Sequence, residues 1–199
     1  MSRPDAPLLV LGVGNLLLGD EGIGVRVVGE LDRRASAGAL VLPAGTRIVD
    51  GGTLGLDLLP LIEDARAVLL VDAVDLGQAA GTVTVIEGEA LASVLGGHLS
   101  AHQVGVADLL AAARLLDASP GAVALVGIQP GELAVGLELS PAVEAAIEPA
   151  VRACLRELEI LAALEILAAP STTTRTAGVG GAPRPGPAPD RSVATAPRG

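Results

Sequence analysis

The sequence predicts an α/β protein with a doubly wound, mostly parallel sheet that carries helices on both faces. Short continuous apolar runs alternate with segments of helical periodicity along residues 7–167. Unbroken apolar runs are typical of parallel strands that are buried on both faces. The segments between them are long enough for the crossovers that parallel pairing requires. A chain of 199 residues is sufficient for one domain with its own core.

The first strand is expected at residues 7–13, a run that ends in glycine. A helix is expected from Glu21, because apolar residues then recur at helical spacing up to Leu31. Further strands are expected at residues 47–50, 67–72, 82–87, 122–128 and 133–139, and further helices at about 55–64, 103–117 and 140–167. Pro149 lies inside the last helix and is expected to kink or split it.

Two regions are predicted from composition. Residues 1–168 form the α/β domain, and residues 169–199 form a tail rich in Pro, Gly and Arg, which we expect to be disordered. The tail carries four Arg and one Asp, so the net charge of -10 leaves about -13 on the rest of the chain. The folded part is therefore strongly acidic.

Several classes of protein are disfavoured by composition. Phe, Tyr and Trp are all absent, and with a net charge of -10 this argues against nucleic-acid binding. Cys154 is the single cysteine, so an intrachain disulfide is impossible, and it is interpreted as a buried thiol rather than a nucleophile. The N-terminus lacks a secretory signal pattern, and no apolar stretch reaches membrane-spanning length, so a cytoplasmic location without membrane contact is expected.

Acidic residues cluster where the predicted strands end. Asp50 and Asp72 end the second and third strands, and Glu21 begins the first helix, so three carboxylates are expected at the carboxyl edge of the sheet. Such a cluster persists by raising a pKa or by binding a cation. Helix capping is the alternative, which periodicity alone leaves open, and it is the favoured interpretation of Asp20.

His98 and His102 are the only two histidines. His102 stands at an expected helix start and could complete a Glu/Asp/His set, whereas His98 is interpreted as a solvated loop residue. Two oxygen donors and one nitrogen suit Zn, Ni or a similar divalent ion that keeps an open position.

Two familiar kinds of site are poorly matched. Gly12 and Gly14 begin a dinucleotide fingerprint, but Leu17 replaces its third glycine, and Asp20 and Glu21 would repel a pyrophosphate. No Ser/His/Asp or Cys/His arrangement is legible, so direct attack by water is favoured over an acyl-enzyme.

The motifs resemble those of the NiFe-hydrogenase maturation endopeptidases, over roughly residues 8–155. The run LVLGVGNLLLGDEGIG at residues 9–24 is similar to the opening motif of that family. Four later segments resemble its later motifs in order: residues 50–53, 71–74, 100–105 and 126–130. The Pro/Gly/Arg-rich tail and the lack of aromatic residues depart from the family, but neither falls on a motif.

The resemblance implies a peptidase that removes a short C-terminal peptide from the hydrogenase large-subunit precursor after nickel insertion. It implies that Glu21, Asp72 and His102 are metal ligands that recognise Ni2+ held by the substrate and bound only transiently. Asp50 belongs to the substrate-recognition loop and is also a candidate base, in the manner of an aspartyl protease. No nucleotide or organic cofactor is expected, and the protein is expected to be a monomer.

Two other functions are retained as alternatives. A non-catalytic nickel-dependent hydrogenase chaperone would use the same ligands without cutting the precursor. A nucleotide-binding α/β protein would instead have measurable affinity for NAD or ATP.

Overall fold

The computed structural model describes residues 6–97, 101–131 and 133–168, and within these the side chains of residues 92, 95–97, 101–105 and 165–168 lie outside the description. Five strands form one sheet: β1 (Leu8–Val13), β2 (Thr46–Gly52), β3 (Ala67–Ala73), β4 (Val83–Glu87) and β5 (Ala122–Ile128). The order is β2-β1-β3-β5-β4, with all pairs parallel except the antiparallel β4–β5 pair. The predicted α/β sheet is confirmed.

Six α-helices are described: α1 (Ile23–Ser36), α2 (Leu59–Asp64), α3 (Gly88–Gly97), α4 (Ala101–Leu115), α5 (Pro141–Glu144) and α6 (Ile147–Ala168). Single 3-10 turns precede α1 at Gly19–Gly22 and α2 at Gly55–Leu58. The expected final helix is split, with Pro149 in the first turn of α6, where a missing N–H costs little.

Helices cover both faces of the sheet, and each face has its own core. Val10, Leu69 and Val126 pack with α1 and α6 on one face. Leu11, Leu70 and Leu125 pack with α2, α3 and α4 on the other. Strand side chains alternate between faces, so neighbouring residues of one strand enter different cores. Cys154 is fully buried in the first core, and burial raises the pKa of its thiol to about 12, as expected for a structural cysteine.

One expected strand is absent from the structure, and one helix was not expected. Residues 133–139 are not a strand, and only one isolated bridge, between Leu18 and Gly136, forms there. Their alternating apolar side chains mimic a strand, but the segment crosses the carboxyl edge instead of joining the sheet. Helix α3 was not predicted, because its short Ala- and Leu-containing sequence is bounded by glycines at both ends.

The predicted tail, residues 169–199, lies outside the described residues, so its expected disorder stays a prediction. In the described part of the chain, no helix combines the length and the apolar character needed to cross a bilayer.

Candidate active site

The candidate site lies at the carboxyl edge of the sheet, where β1 and β3 end side by side. Glu21 belongs to the 3-10 turn between β1 and α1, and Asp72 is the penultimate residue of β3. Both side chains are almost fully buried. Because β1 and β3 are direct neighbours, the turn after β1 reaches the end of β3. The expected pairing of these two carboxylates is therefore present.

Two glycines allow this approach. Gly14 has a φ of 139°, and any side chain there would overlap the carbonyl group of Glu21. A methyl group on Gly24 would overlap the carbonyl oxygens of Val13 and Val71. Glycine therefore lets the start of α1 lie directly against the ends of β1 and β3. This close contact brings Glu21 to Asp72.

The electrostatics of Asp72 reflect burial and its acidic neighbour. Burial raises the pKa of Asp72 to about 8, and the charge of Glu21 adds to the rise. The backbone N–H of Ala73 donates to Asp72 Oδ1 at 2.8 Å and partly opposes this effect on the pKa. A divalent cation between these two acidic groups would offset their repulsion.

Asp50 does not join this pair. It lies two residues before the end of the neighbouring edge strand β2 and is exposed. Its carboxylate accepts a hydrogen bond at 3.0 Å from the backbone N–H of Gly52. Residues two apart in a strand lie on the same face of the sheet. Asp50 therefore lies on the face of Ile48, which α1 and α6 cover, whereas Asp72 lies on the face of Leu70, which α4 covers. Two of the three carboxylates that were expected to converge, Glu21 and Asp72, are therefore close together. Asp50 is not, because it lies on the opposite face of the sheet from Asp72.

Only the backbone of His102 is described, and His98 lies outside the described residues. His102 is the second residue of α4, which packs on the same face as Asp72. Near the far end of α4, the N–H of Gly121 donates to the carbonyl of Arg66 at 2.7 Å, at the amino edge of the sheet. Helix α4 therefore runs antiparallel to β5 and begins at the carboxyl edge, on the side of Glu21 and Asp72.

No three carboxylate, histidine or cysteine groups come together to hold a cation among the side chains that the structure describes, which include neither histidine. The donor set of two coupled carboxylates with a histidine at the adjoining helix start fits a borderline divalent ion such as Ni2+ or Zn2+. The ligand role of all three residues stays a prediction.

Asp20 has a different role from the one predicted. It is not an N-cap: the N-cap positions of the 3-10 turn and of α1 are Leu18 and Gly22, and no side chain makes a capping hydrogen bond at either. Its carboxylate instead accepts hydrogen bonds from Gly131 N at 2.9 Å, Ser140 N at 2.6 Å and Ser140 Oγ at 2.8 Å. Asp20 thus fastens both ends of the segment 131–140 to the start of α1.

Gln129 organises the loop after β3, a role that the sequence did not reveal. Its side-chain oxygen accepts hydrogen bonds from Leu76 N at 2.7 Å and Gln78 N at 3.1 Å. Its amide nitrogen donates to Asp75 Oδ1 at 3.1 Å. A polar residue directly after a buried strand was the available signal, the same signal that singled out Asp72.

Comparisons with known proteins agree with this architecture. A family model described as "Hydrogenase maturation protease" matches residues 25–157. A hydrogenase expression/formation protein HupD from Rhodobacter capsulatus is 43% identical over 76% of this chain and 70% of its own length. A hydrogenase 2 maturation protease from Escherichia coli K12 is 42% identical over 75% of this chain and 91% of its own length.

Solved structures are similar as well. The hydrogenase maturating endopeptidase HybD from E. coli matches with a TM-score of 0.70 and 39% identity, covering 77% of this chain and 93% of that one. The NiFe hydrogenase maturation protease HybD from Thermococcus kodakarensis matches with a TM-score of 0.61 and 25% identity, covering 76% and 99%.

Fold and relatives together define an α/β peptidase. The chain belongs to the hydrogenase maturation protease family. This membership confirms the resemblance of the sequence motifs, and it disfavours both a nucleotide-binding protein and a non-catalytic chaperone.

Proposed function

We propose that this protein removes a C-terminal peptide from the large-subunit precursor of a NiFe hydrogenase after nickel has been inserted. The observation that carries the proposal is the buried Glu21–Asp72 pair at the carboxyl edge of the sheet. Ligands bind at this edge in doubly wound sheets. Membership of a protease family supports peptide-bond hydrolysis as the reaction.

Glu21, Asp72 and His102 recognise nickel that the precursor already holds. Two acidic groups enclosed side by side repel, and a divalent cation delivered by the substrate relieves that repulsion. The position of the α4 start on the Asp72 side of the sheet supports His102 as the third ligand. The nickel belongs to the substrate and leaves with the product, so the protein needs no resident cofactor.

Water is the nucleophile in this proposal. Cys154 is enclosed in the core with a pKa raised to about 12, which excludes it from attack on a peptide carbonyl. Asp50 is assigned to substrate recognition rather than to the base, because it is exposed and lies on the opposite face from Asp72. In this proposal the protein acts as a monomer in the cytoplasm.

Mass spectrometry of the purified precursor, loaded with nickel or free of it, tests this proposal. We expect the wild-type protein to shorten only the nickel-loaded precursor. Asp72→Asn and His102→Ala should each slow processing by about 100-fold or more, because each removes one ligand. Far-UV circular dichroism checks that both variants fold, since a protein without Trp or Tyr offers no useful intrinsic fluorescence.

Matched controls sharpen this test. His98→Ala removes the other histidine, and Asp108→Asn changes an exposed acid on α4, so both should process the precursor at the wild-type rate. Normal cleavage by Asp72→Asn or His102→Ala would remove that residue from the site. Binding without any cleavage by the wild-type protein would favour the chaperone instead, and calorimetry with NAD and ATP tests the nucleotide alternative.

A further inference from the structure

An exposed apolar surface surrounds the candidate active site. Many of the large apolar side chains that the described part of the chain exposes lie on three loops at the carboxyl edge of the sheet. We call this set the apolar rim: Leu16, Leu17, Leu54, Leu56, Leu133, Val135 and Leu137. Their exposed fractions range from 39% for Leu16 to 89% for Val135, so a large part of each side chain is in contact with water. Contiguous exposed apolar patches mark interaction sites.

Backbone hydrogen bonds join the three loops, residues 14–22, 50–58 and 131–140, side by side at the carboxyl edge of the sheet. Gly14 N donates to Gly52 O at 3.0 Å, which links the first loop to the loop after β2. Gly136 N donates to Leu17 O, and Gly19 N donates to Gly136 O, both at 2.9 Å, which link it to the third loop. The first loop, which follows β1, leads directly into the turn that carries Glu21.

The third loop is held in place by charged side chains. Asp20 binds its two ends at Gly131 and Ser140. The Arg26 guanidinium on α1 donates to the carbonyl of Leu137. An exposed apolar segment would otherwise collapse onto the protein surface, so these contacts hold its side chains outward.

The exposed charges that the rim loops themselves carry are acidic. Among the described side chains, these loops expose three carboxylates and no Lys or Arg: Asp50, Asp57 and Glu138. Arg26, on α1, is the cation that contacts the third loop, and its guanidinium is bound to the carbonyl of Leu137. An acidic partner would be repelled by this surface, whereas a basic one would be attracted.

We propose that the apolar rim is the docking surface for an apolar segment of the precursor polypeptide that has basic rather than acidic flanking residues. This inference rests on the proposed function and names the part of the protein that holds its substrate. A protease must bind the polypeptide on either side of the bond that it cuts, and the rim loops adjoin Glu21. Asp20 and Arg26 act as positioning residues for the third loop.

The test compares a rim variant with a matched surface control. The triple variant Leu133→Ser, Val135→Ser, Leu137→Ser removes exposed apolar contacts without entering the core. The control is Val41→Ser with Leu115→Ser, two side chains that are 93% and 86% exposed away from the rim. With nickel-loaded precursor, we expect KM to rise about ten-fold or more in the rim variant and kcat to stay unchanged. The control variant should match the wild-type protein in both parameters.

Biolayer interferometry with nickel-free precursor measures docking without cleavage, so it separates this inference from the proposed function. We expect about ten-fold weaker binding by the rim variant. Val135→Arg should weaken binding more than Val135→Glu, because the expected segment is basic. Rim-dependent binding by a wild-type protein that never cuts would support the docking surface and reject the proposed protease activity.

Other outcomes overturn the inference. Unchanged KM and unchanged binding in the rim variant would mean that the precursor docks elsewhere. A wild-type protein that neither binds nor cuts the precursor rejects both proposals. A wild-type dimer that the rim variant converts to a monomer, without any change in KM, would assign the rim to a second copy of this chain.

Discussion

Asp20 and Glu21 are adjacent acidic residues with separate tasks. Glu21 faces Asp72, whereas Asp20 accepts three hydrogen bonds from Gly131 and Ser140, two residues that are distant in sequence. A capping residue satisfies donors of its own helix, and acidic residues suit a helix start, so the sequence favoured capping for Asp20. Long-range hydrogen bonds leave no local pattern, and the role of Asp20 was therefore not predictable.

Asp20→Ala should destabilise the protein strongly. The substitution leaves two backbone donors and one hydroxyl without their acceptor in a partly buried place, so we expect a loss of about 2–3 kcal/mol in the free energy of unfolding. Ser140→Ala removes one of the three bonds and should cost about 1 kcal/mol. Urea titration followed by circular dichroism measures both. Equal losses in the two variants would show that the carboxylate is not the centre of this network.

Gly24 is the glycine of α1 that lies directly against the sheet. A methyl group on Gly24 would overlap the carbonyl oxygens of Val13 and Val71, which belong to neighbouring strands. Backbone atoms of two buried strands cannot move aside cheaply. Gly24 therefore sets the distance between the helix and the sheet, and with it the approach of Glu21 to Asp72.

Gly24→Ala and Gly29→Ala change the same helix in the same way but should have opposite effects. Gly24→Ala should lower the free energy of unfolding by about 3 kcal/mol, through displacement of α1. Gly29 has open space around it, so its replacement by Ala should stabilise the helix by about 0.5–1 kcal/mol. Chemical denaturation of both variants measures the difference. A stable Gly24→Ala protein would contradict the close contact.

Burial explains which strands and helices were predictable. Strands β1, β3 and β5 lie in the interior of the sheet, so their continuous apolar sequences identified them. Segment 133–139 has the alternation of a strand but exposes its apolar side chains, and the sequence does not distinguish an apolar binding surface from a core. The alternation of apolar residues is present, but it belongs to an exposed loop and not to a strand.

The sequence predicted part of the candidate site through one rule: the carboxyl ends of parallel strands lie at the same edge of the sheet. This rule brought Glu21 and Asp72 together correctly, because their strands are neighbours. It failed for Asp50, since the face of a side chain depends on its exact register in the strand. Gln129 stands out in the sequence as a polar residue after a buried strand, but its partners are residues 75–78, more than 50 positions away, and the local sequence does not identify them.

Charge dominates the molecule as a whole. The net charge is -10, and the aliphatic core contains no aromatic residue. Besides Glu21 and Asp72, a second pair of acidic side chains lies close together, where α6 packs on β4. Glu157 is buried there and hydrogen-bonded to Glu87. Burial raises the pKa of Glu157 to about 7, and the Glu87 carboxyl contributes further.

The Glu87–Glu157 pair should make stability depend on pH. The pKa of Glu157 rises from 4.5 in the unfolded chain to about 7 in the folded protein, so the folded state binds the proton more tightly. This contribution to stability is complete below about pH 4.5 and is lost as the pH rises through 7. Wild-type stability should therefore fall between pH 5 and pH 8, the reverse of the usual behaviour of a carboxylate with a cationic partner.

Glu157→Gln should remove the part of this dependence that comes from the Glu87–Glu157 pair, because an amide cannot lose a proton in this pH range. Asp72, whose pKa is also raised, keeps its own contribution in both proteins. At pH 8 we expect the variant to be about 1–2 kcal/mol more stable than the wild-type protein, less than the full shift implies, since Glu87 is exposed and screened by solvent. At pH 5 the two should be nearly equal. Glu159→Gln, on the exposed side of α6, changes the net charge by the same amount and provides the control. If both variants gained equally at pH 8, net charge rather than the buried pair would be responsible, because only Glu157 is enclosed against β4.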